Sequence, residues 1–206
     1  SGHYARLSHG VVRYDWTGPE NGPVVVLVHG FSLPSFVFYR NVDALARAGF
    51  RVLTYDHLGR GDSDRPPGPY TADFYDRELL DLLNTLHIRA PIHLLGYSMG
   101  GGVAVTFAAR HPEQVAKLML VAPIGFMPAP AIGPQLLRTP VLGEWLMAVA
   151  VGKKLNAAVQ HDADRGLLTP DMATRFAAQF TDSNFRHALL SSMREFLYLD
   201  MGAHYR

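Results

Sequence analysis

The sequence predicts an α/β fold, with a mostly parallel central sheet and helices on both of its faces, from two observations. Four short runs, Val24 to Val28, Val52 to Tyr55, Ile92 to Leu95 and Leu118 to Val121, are apolar throughout and bounded by Gly, Pro or Asp, the pattern of strands buried on both faces in a parallel sheet. Between them lie amphipathic segments of helical period, and such alternation puts functional loops at the carboxyl ends of the strands.

In chain order, Tyr4 to Leu7 and Val11 to Trp16, joined by a turn at Ser8 to Gly10, read as an antiparallel entry hairpin. Helices are expected over Tyr39 to Ala48, closed by Gly49, over Thr71 to His87, and over Met99 to Arg110, ended by Pro112. In the second of these, Tyr75, Leu79, Leu82, Leu83 and Leu86 form the apolar stripe. After Val121 the chain turns Pro-, Gly- and Ala-rich through Pro134, and helical patterns follow with no strand between them. Thr169 with Pro170 is an N-cap and first-turn pair, and Asp182 or Ser183 caps a last helix carrying Phe185, Leu189, Met193, Phe196 and Leu197. The expected organisation is a core over residues 1–123 and a helical cap region over residues 124–206, without internal repeats or low-complexity tracts.

Hydrophobic residues make up 48% of the 206 and charged residues 18%, an ordinary globular balance. With a net charge of +1 and Lys and Arg scattered singly, the chain lacks the basic patch that nucleic acid or an anionic membrane surface requires. It has no cysteine, which removes disulfides and thiolate metal sites and leaves the compartment open. The apolar stretch Val141 to Val151 contains Glu144 and is too short for a membrane span, and the N-terminus lacks a signal-peptide layout. The expectation is a soluble, cytoplasmic protein with no metal or organic cofactor, its oligomeric state undetermined. Ser1 and Gly2 in place of an initiator methionine suggest processing, an expression scar or a fragment boundary.

The sharpest chemical signal is Gly96-Tyr97-Ser98-Met99-Gly100, directly after an expected strand and opening an expected helix. A serine on so tight a turn adopts strained backbone geometry, and glycines two residues to either side remove the side chains that would collide there. The turn projects the hydroxyl beyond the sheet, and the helix N-terminus directs N–H groups toward an oxyanion. The bland alternative is a small-residue turn with an idle serine. A second signal, His29-Gly30-Phe31, leaves the Val24 strand where a further N–H donor is needed; the Phe31 N–H is the candidate, and His29 is expected to bond loop backbone rather than to act as a base. The third is the loop from Asp56 to Asp64. Its Gly59 and Gly61 lack the third glycine of a dinucleotide site, and Arg60-Gly61-Asp62 spells an adhesion tripeptide that arises readily by chance. Asp56 is expected to hold this loop by accepting backbone N–H groups.

Together, His29-Gly30-Phe31, Asp56-x-x-Gly59-x-Gly61-x-Ser63-Asp64 and Gly96-Tyr97-Ser98-Met99-Gly100-Gly101 resemble the α/β-hydrolase superfamily, in the branch of small esterases, lipases and carbon-carbon bond hydrolases. The resemblance covers about Tyr4 to Val121 closely, and the helical remainder is similar to the family's cap. It implies Ser98 as nucleophile and the N–H groups of Phe31 and Met99 as oxyanion hole. Serine at this position, where related haloalkane dehalogenases and epoxide hydrolases carry aspartate, implies acyl chemistry. Phe31, Leu33, Tyr97, Phe126 and Trp145 are expected to contact a substrate with apolar groups, although packing of cap or core would account equally well for most of them.

The family's triad continues, in chain order, with an Asp or Glu and then a His on loops after further strands. Cap-like helices occupy nearly all of the chain after Ser98, so acid and histidine are expected to be absent and the chain reads as a C-terminally incomplete hydrolase. Asp200 and His204 would share a helical face, but neighbours on one terminal helix are poorly placed to serve Ser98. His161 with Asp162 and His187 with Asp182 read as solvated cap residues. The leading functional expectation is a serine hydrolase of small-molecule carboxylic esters with apolar groups. The alternatives are carbon-carbon bond hydrolysis, a ligand-binding module without catalysis, or a chain with no independent function.

Overall fold

A computed structural model of the chain describes residues 2–125 and 133–205. The entry hairpin forms from β1 (His3–Leu7) and β2 (Gly10–Thr17), and the apolar runs become β3 (Val24–Val28), β4 (Arg51–Tyr55), β5 (Ile92–Tyr97) and β6 (Val115–Val121). Among the described residues they make one sheet in the order β1-β2-β4-β3-β5-β6, with β1, β2 and β4 antiparallel to their neighbours in the hairpin half and β4, β3, β5 and β6 mutually parallel. After β3 the chain passes to β4 on one side, then crosses back to β5 on the other. That reversal opens a crevice at the carboxyl ends of β3 and β5, the position where open α/β sheets bind ligands.

Alternation along the strands sorts side chains to two faces. Val25, Leu27 and Val52 pack with Phe38, Val42 and Leu45 under α1 (Tyr39–Arg47). Val26, Val28, Leu53 and Leu94 face the other way, toward α2 (Ala72–Thr85) and α3 (Met99–Arg110). Thr71 caps α2 by accepting the Phe74 N–H at 3.2 Å, and Leu79 and Leu82 are fully buried, each contributing about 1.5–3 kcal/mol by leaving water. β6 departs from the expectation of a strand buried on both faces: Met119 is 39% and Val121 48% exposed, because β6 forms one edge of the described sheet.

The helical remainder comprises α4 (Gly133–Arg138), α5 (Leu142–Leu146), α6 (Gly152–Asp164), α7 (Pro170–Gln179) and α8 (Ser183–Glu195), with a π-helical turn at Met147–Val151 between α5 and α6. Thr169 caps α7 through the Met172 N–H, and Asp182 rather than Ser183 caps α8 through Asn184. These helices share a second apolar cluster that includes Met147, Phe176, Phe185 and Leu189. Ala188, Phe196 and Met201 instead join the main core, so the last helix and the turns after it rest on the sheet domain. Among the described residues no helix is long and apolar enough to cross a membrane.

Candidate active site

Ser98 is the hinge between β5 and α3. Its φ of 53° and ψ of −119° lie outside the regions that side chains favour, at a cost of about 1–3 kcal/mol that the surroundings must offset. The Ser98 N–H donates to Val121 O at 2.9 Å, and its carbonyl accepts from Gly101 N at 2.9 Å and Ile124 N at 3.2 Å. α3 lies so close to β3 that a Cβ on Gly100 would stand 2.2 Å from Val28 O. Met99 opens α3, and the first N–H groups of a helix have no intrahelical acceptor.

The loop after β3 lies directly against this hinge: a Cβ on Gly30 would stand 3.3 Å from Ser98 Cβ. His29 is fully buried; one ring nitrogen, Nδ1, bonds Gly30 O at 2.9 Å, and the other, Nε2, accepts from His57 N at 2.9 Å. Burial, reinforced by His57, holds the imidazole well below its ordinary pKa, so it is neutral. With both nitrogens engaged, it serves the loop backbone and is not a base. Because Gly30 C=O and Phe31 N–H belong to one peptide plane and point oppositely, the His29 contact directs the Phe31 N–H away from His29. The Phe31 side chain packs against both the main core and the helical cluster, and Leu33 packs against the latter.

The neighbouring loop is tied as its carboxylate suggested. Asp56 accepts Ser35 N at 2.8 Å and Asp62 N at 3.1 Å, bracing the β3 loop against the β4 loop. Beneath it lies a buried polar cluster. His57 Nδ1 meets Glu78 Oε2 at 2.5 Å, and the other Glu78 oxygen accepts Leu58 N. Arg60 is fully buried, which removes the adhesion reading of Arg60-Gly61-Asp62. Glu78 occupies the buried stripe of α2, three residues after Tyr75 and four before Leu82; a carboxylate at an apolar position was the available signal for this cluster.

Burial pushes the Glu78 carboxyl from 4.5 up to about 8, with Leu58 N–H and Arg60 opposing more weakly. Burial likewise pushes His57 from 6.5 down to about 3. The stability that Glu78 contributes is complete below its unfolded value and is lost as pH rises to about 8. That of His57 is complete above its unfolded value and is lost as pH falls to about 3. Between about pH 6.5 and 8.5 the Glu78 effect acts alone, so wild-type Tm should fall by about 5 °C relative to Glu78→Gln, which does not titrate. Thermal unfolding of both proteins across that window checks this; a constant Tm difference would contradict a protonated Glu78.

The structure thus brings the loop that carries Phe31 beside Ser98 and Met99 through Gly30, while Leu33 packs on the helical cluster. Tyr97 lines a separate apolar cavity of about 200 Å³ with Leu27, Val37, Phe38, Leu95 and Val121. Trp145 is 58% exposed on α5, and Phe126 lies outside the described residues. Asp200 and His204 are not on a helix: Asp200 accepts Gly202 N at 2.9 Å and His204 N–H donates to Met201 O, closing local turns. His161 is exposed, and His187, also exposed, bonds Pro67 O at 2.7 Å. Among the described residues no side chain hydrogen-bonds the Ser98 hydroxyl, and no group of three or more His, Asp or Glu side chains is arranged to hold a metal ion. The arrangement sets a half-buried serine at the turn from β5 to α3, beside the Gly30 loop and at the N-terminus of α3.

Comparison with known proteins bears on this geometry. The profile of the family described as alpha/beta hydrolase fold matches residues 23–188. A 2-hydroxy-6-oxononadienedioate/2-hydroxy-6-oxononatrienedioate hydrolase of Burkholderia vietnamiensis is 42% identical over 137 residues, 62% of this chain and 46% of that protein. A probable 1-acylglycerol-3-phosphate O-acyltransferase of Oryza sativa is 40% identical over 118 residues, 52% of this chain and 27% of that protein. The match therefore spans between about a quarter and a half of the length of these curated relatives. Among solved structures, the enol-lactonase from Burkholderia xenovorans superposes with a TM-score of 0.75 at 25% identity, covering 97% of this chain and 74% of the lactonase.

Proposed function

Since the chain belongs to the alpha/beta hydrolase fold family, we propose that the whole protein is a serine hydrolase cleaving carboxylic esters with apolar groups through an acyl-enzyme on Ser98. The observation that carries this reading is the strained Ser98 hinge with the Gly30–Phe31 loop packed against it. In the proposed reaction Ser98 Oγ attacks the ester carbonyl carbon and gives up its proton to a base. The tetrahedral oxyanion accepts the N–H groups of Phe31 and Met99. The alcohol leaves with a proton as the acyl-serine forms, and water then attacks that acyl group to release the carboxylic acid and restore Ser98. The base and its acid partner are left unassigned, and the activity is proposed for the whole protein. Phe31 and Leu33, facing the helical cluster, support an apolar acyl or alcohol portion. The resemblance to an enol-lactonase supports ester chemistry, because a lactone is a cyclic ester.

A second reading, hydrolysis of a carbon-carbon bond, is favoured by the 42% identity to the oxononadienedioate hydrolase. Product analysis separates the two. The full-length protein is incubated with short-chain aryl esters and, separately, with a 2-hydroxy-6-oxo-dienoate. Ester reading predicts release of carboxylic acid and phenol at a kcat/KM well above that for the dienoate; the reverse order would transfer the assignment to carbon-carbon cleavage.

A further inference from the structure

We infer that Arg60 is a positioning residue that fixes the Phe31 backbone donor and ties it to helix α8. The inference rests on the proposed roles of Ser98 and the Phe31 N–H.

A fully buried guanidinium is costly, and a methionine or leucine would fill such a site with less penalty. Arg60 nevertheless has no exposure, makes no ion pair among the described residues, and leaves its Nη1 without a partner. Stability therefore does not account for it. Its side-chain contacts join the β3 loop to α2 and α8. Nε donates to Phe31 O at 2.8 Å, and the guanidinium lies 5.7 Å from the centre of the Phe31 ring. Nη2 donates to Ser192 Oγ on α8 at 2.7 Å and to Tyr75 OH on α2 at 3.3 Å. Tyr75 OH and Ser192 Oγ are themselves 2.7 Å apart, and Ser192 returns a bond to Ala188 O.

The consequence for the donor is geometric. Two peptide planes meet at the Phe31 Cα. His29 holds the plane before it through Gly30 O, and Arg60 holds the plane after it through Phe31 O. With both planes held, the Phe31 N–H has one direction. The planar fork of arginine performs this from three sides at once, which a lysine ammonium cannot reproduce. Because the third side is α8, displacement of that helix is transmitted to the donor through Ser192.

The test compares wild type, Arg60→Lys, Arg60→Met and Ser192→Ala in the full-length protein. For p-nitrophenyl butyrate, kcat and KM are measured, together with the inhibition constant of a trifluoromethyl ketone that forms a tetrahedral adduct. Loss of one oxyanion donor costs about 10²–10³ in kcat. The expected result is a fall in kcat of about 10²-fold in folded Arg60→Lys and Arg60→Met, about 10-fold in Ser192→Ala, KM within about threefold, and weakening of the ketone by the same factor as kcat. Parallel losses in kcat and KM, or kcat loss without weaker ketone binding, would overturn the inference, as would Ser192→Ala with unchanged kcat should the Arg60 variants not fold. Ser98→Ala is run beside them. Retained activity there overturns the serine reading itself, whereas inactive Ser98→Ala with fully active Arg60 variants overturns only the role of Arg60.

Discussion

Replacing Ser98 with alanine in the full-length protein is expected to lower ester kcat by at least about 10⁴-fold while leaving the fold intact. Alanine keeps the Cβ that contacts the Gly30 loop and keeps the backbone bonds of Ser98 N and O, so only the attacking atom is lost. Ser98→Gly should lose activity equally yet gain about 1 kcal/mol in stability, because the φ of 53° costs glycine nothing. Stopped-flow or steady-state rates with p-nitrophenyl esters, paired with urea unfolding of the same samples, read both effects. Activity surviving in either variant would remove Ser98 from the chemistry; a glycine variant less stable than wild type would remove the strain.

The second large effect concerns Gly100. Its Cβ position lies 2.2 Å from Val28 O and 2.4 Å from His29 O, both backbone atoms at the end of β3. Neither can move without separating α3 from the sheet, so Gly100→Ala is expected to destabilise the protein by about 3–5 kcal/mol. Separation would also shift the Gly30–Phe31 loop from Ser98, so the folded fraction should lose kcat as well. Gly166 provides the contrast: its φ of 70° is left-handed, whereas Gly100 is helical, and nothing lies within 4 Å of its Cβ position. Gly166→Ala should cost only about 1 kcal/mol. Urea unfolding of the two variants distinguishes packing from backbone conformation, and equal losses would contradict the close approach of α3 and β3.

Local patterns carried the fold into view. The four apolar runs mark β3, β4, β5 and β6, and the spacing of Tyr75, Leu79, Leu82 and Leu83 marks α2, because periodicity is a property of a single segment. The Ser98 hinge was legible for the same reason: its glycines and its position between strand and helix are all within a few residues. What stayed hidden depends on neighbours distant in sequence. The Leu118–Val121 run has the composition of an interior strand, and only the sheet order makes β6 an edge. Arg60 stood out only as one letter of a chance adhesion tripeptide, since its partner Ser192 is 132 positions away. Glu78 sat on an apolar stripe, but its partner His57 could not be named without the fold. Asp200 and His204 had helical spacing, yet α8 ends at Glu195 and turns follow.

The most direct test of an acyl-enzyme on Ser98 is covalent trapping in the full-length protein. After brief reaction with an alkyl fluorophosphonate, proteolysis and mass spectrometry should find a single phosphonyl adduct on the peptide containing Ser98, formed in step with loss of ester hydrolysis. Continued ester hydrolysis by protein fully labelled at Ser98, or inactivation with the adduct on another residue, would contradict it.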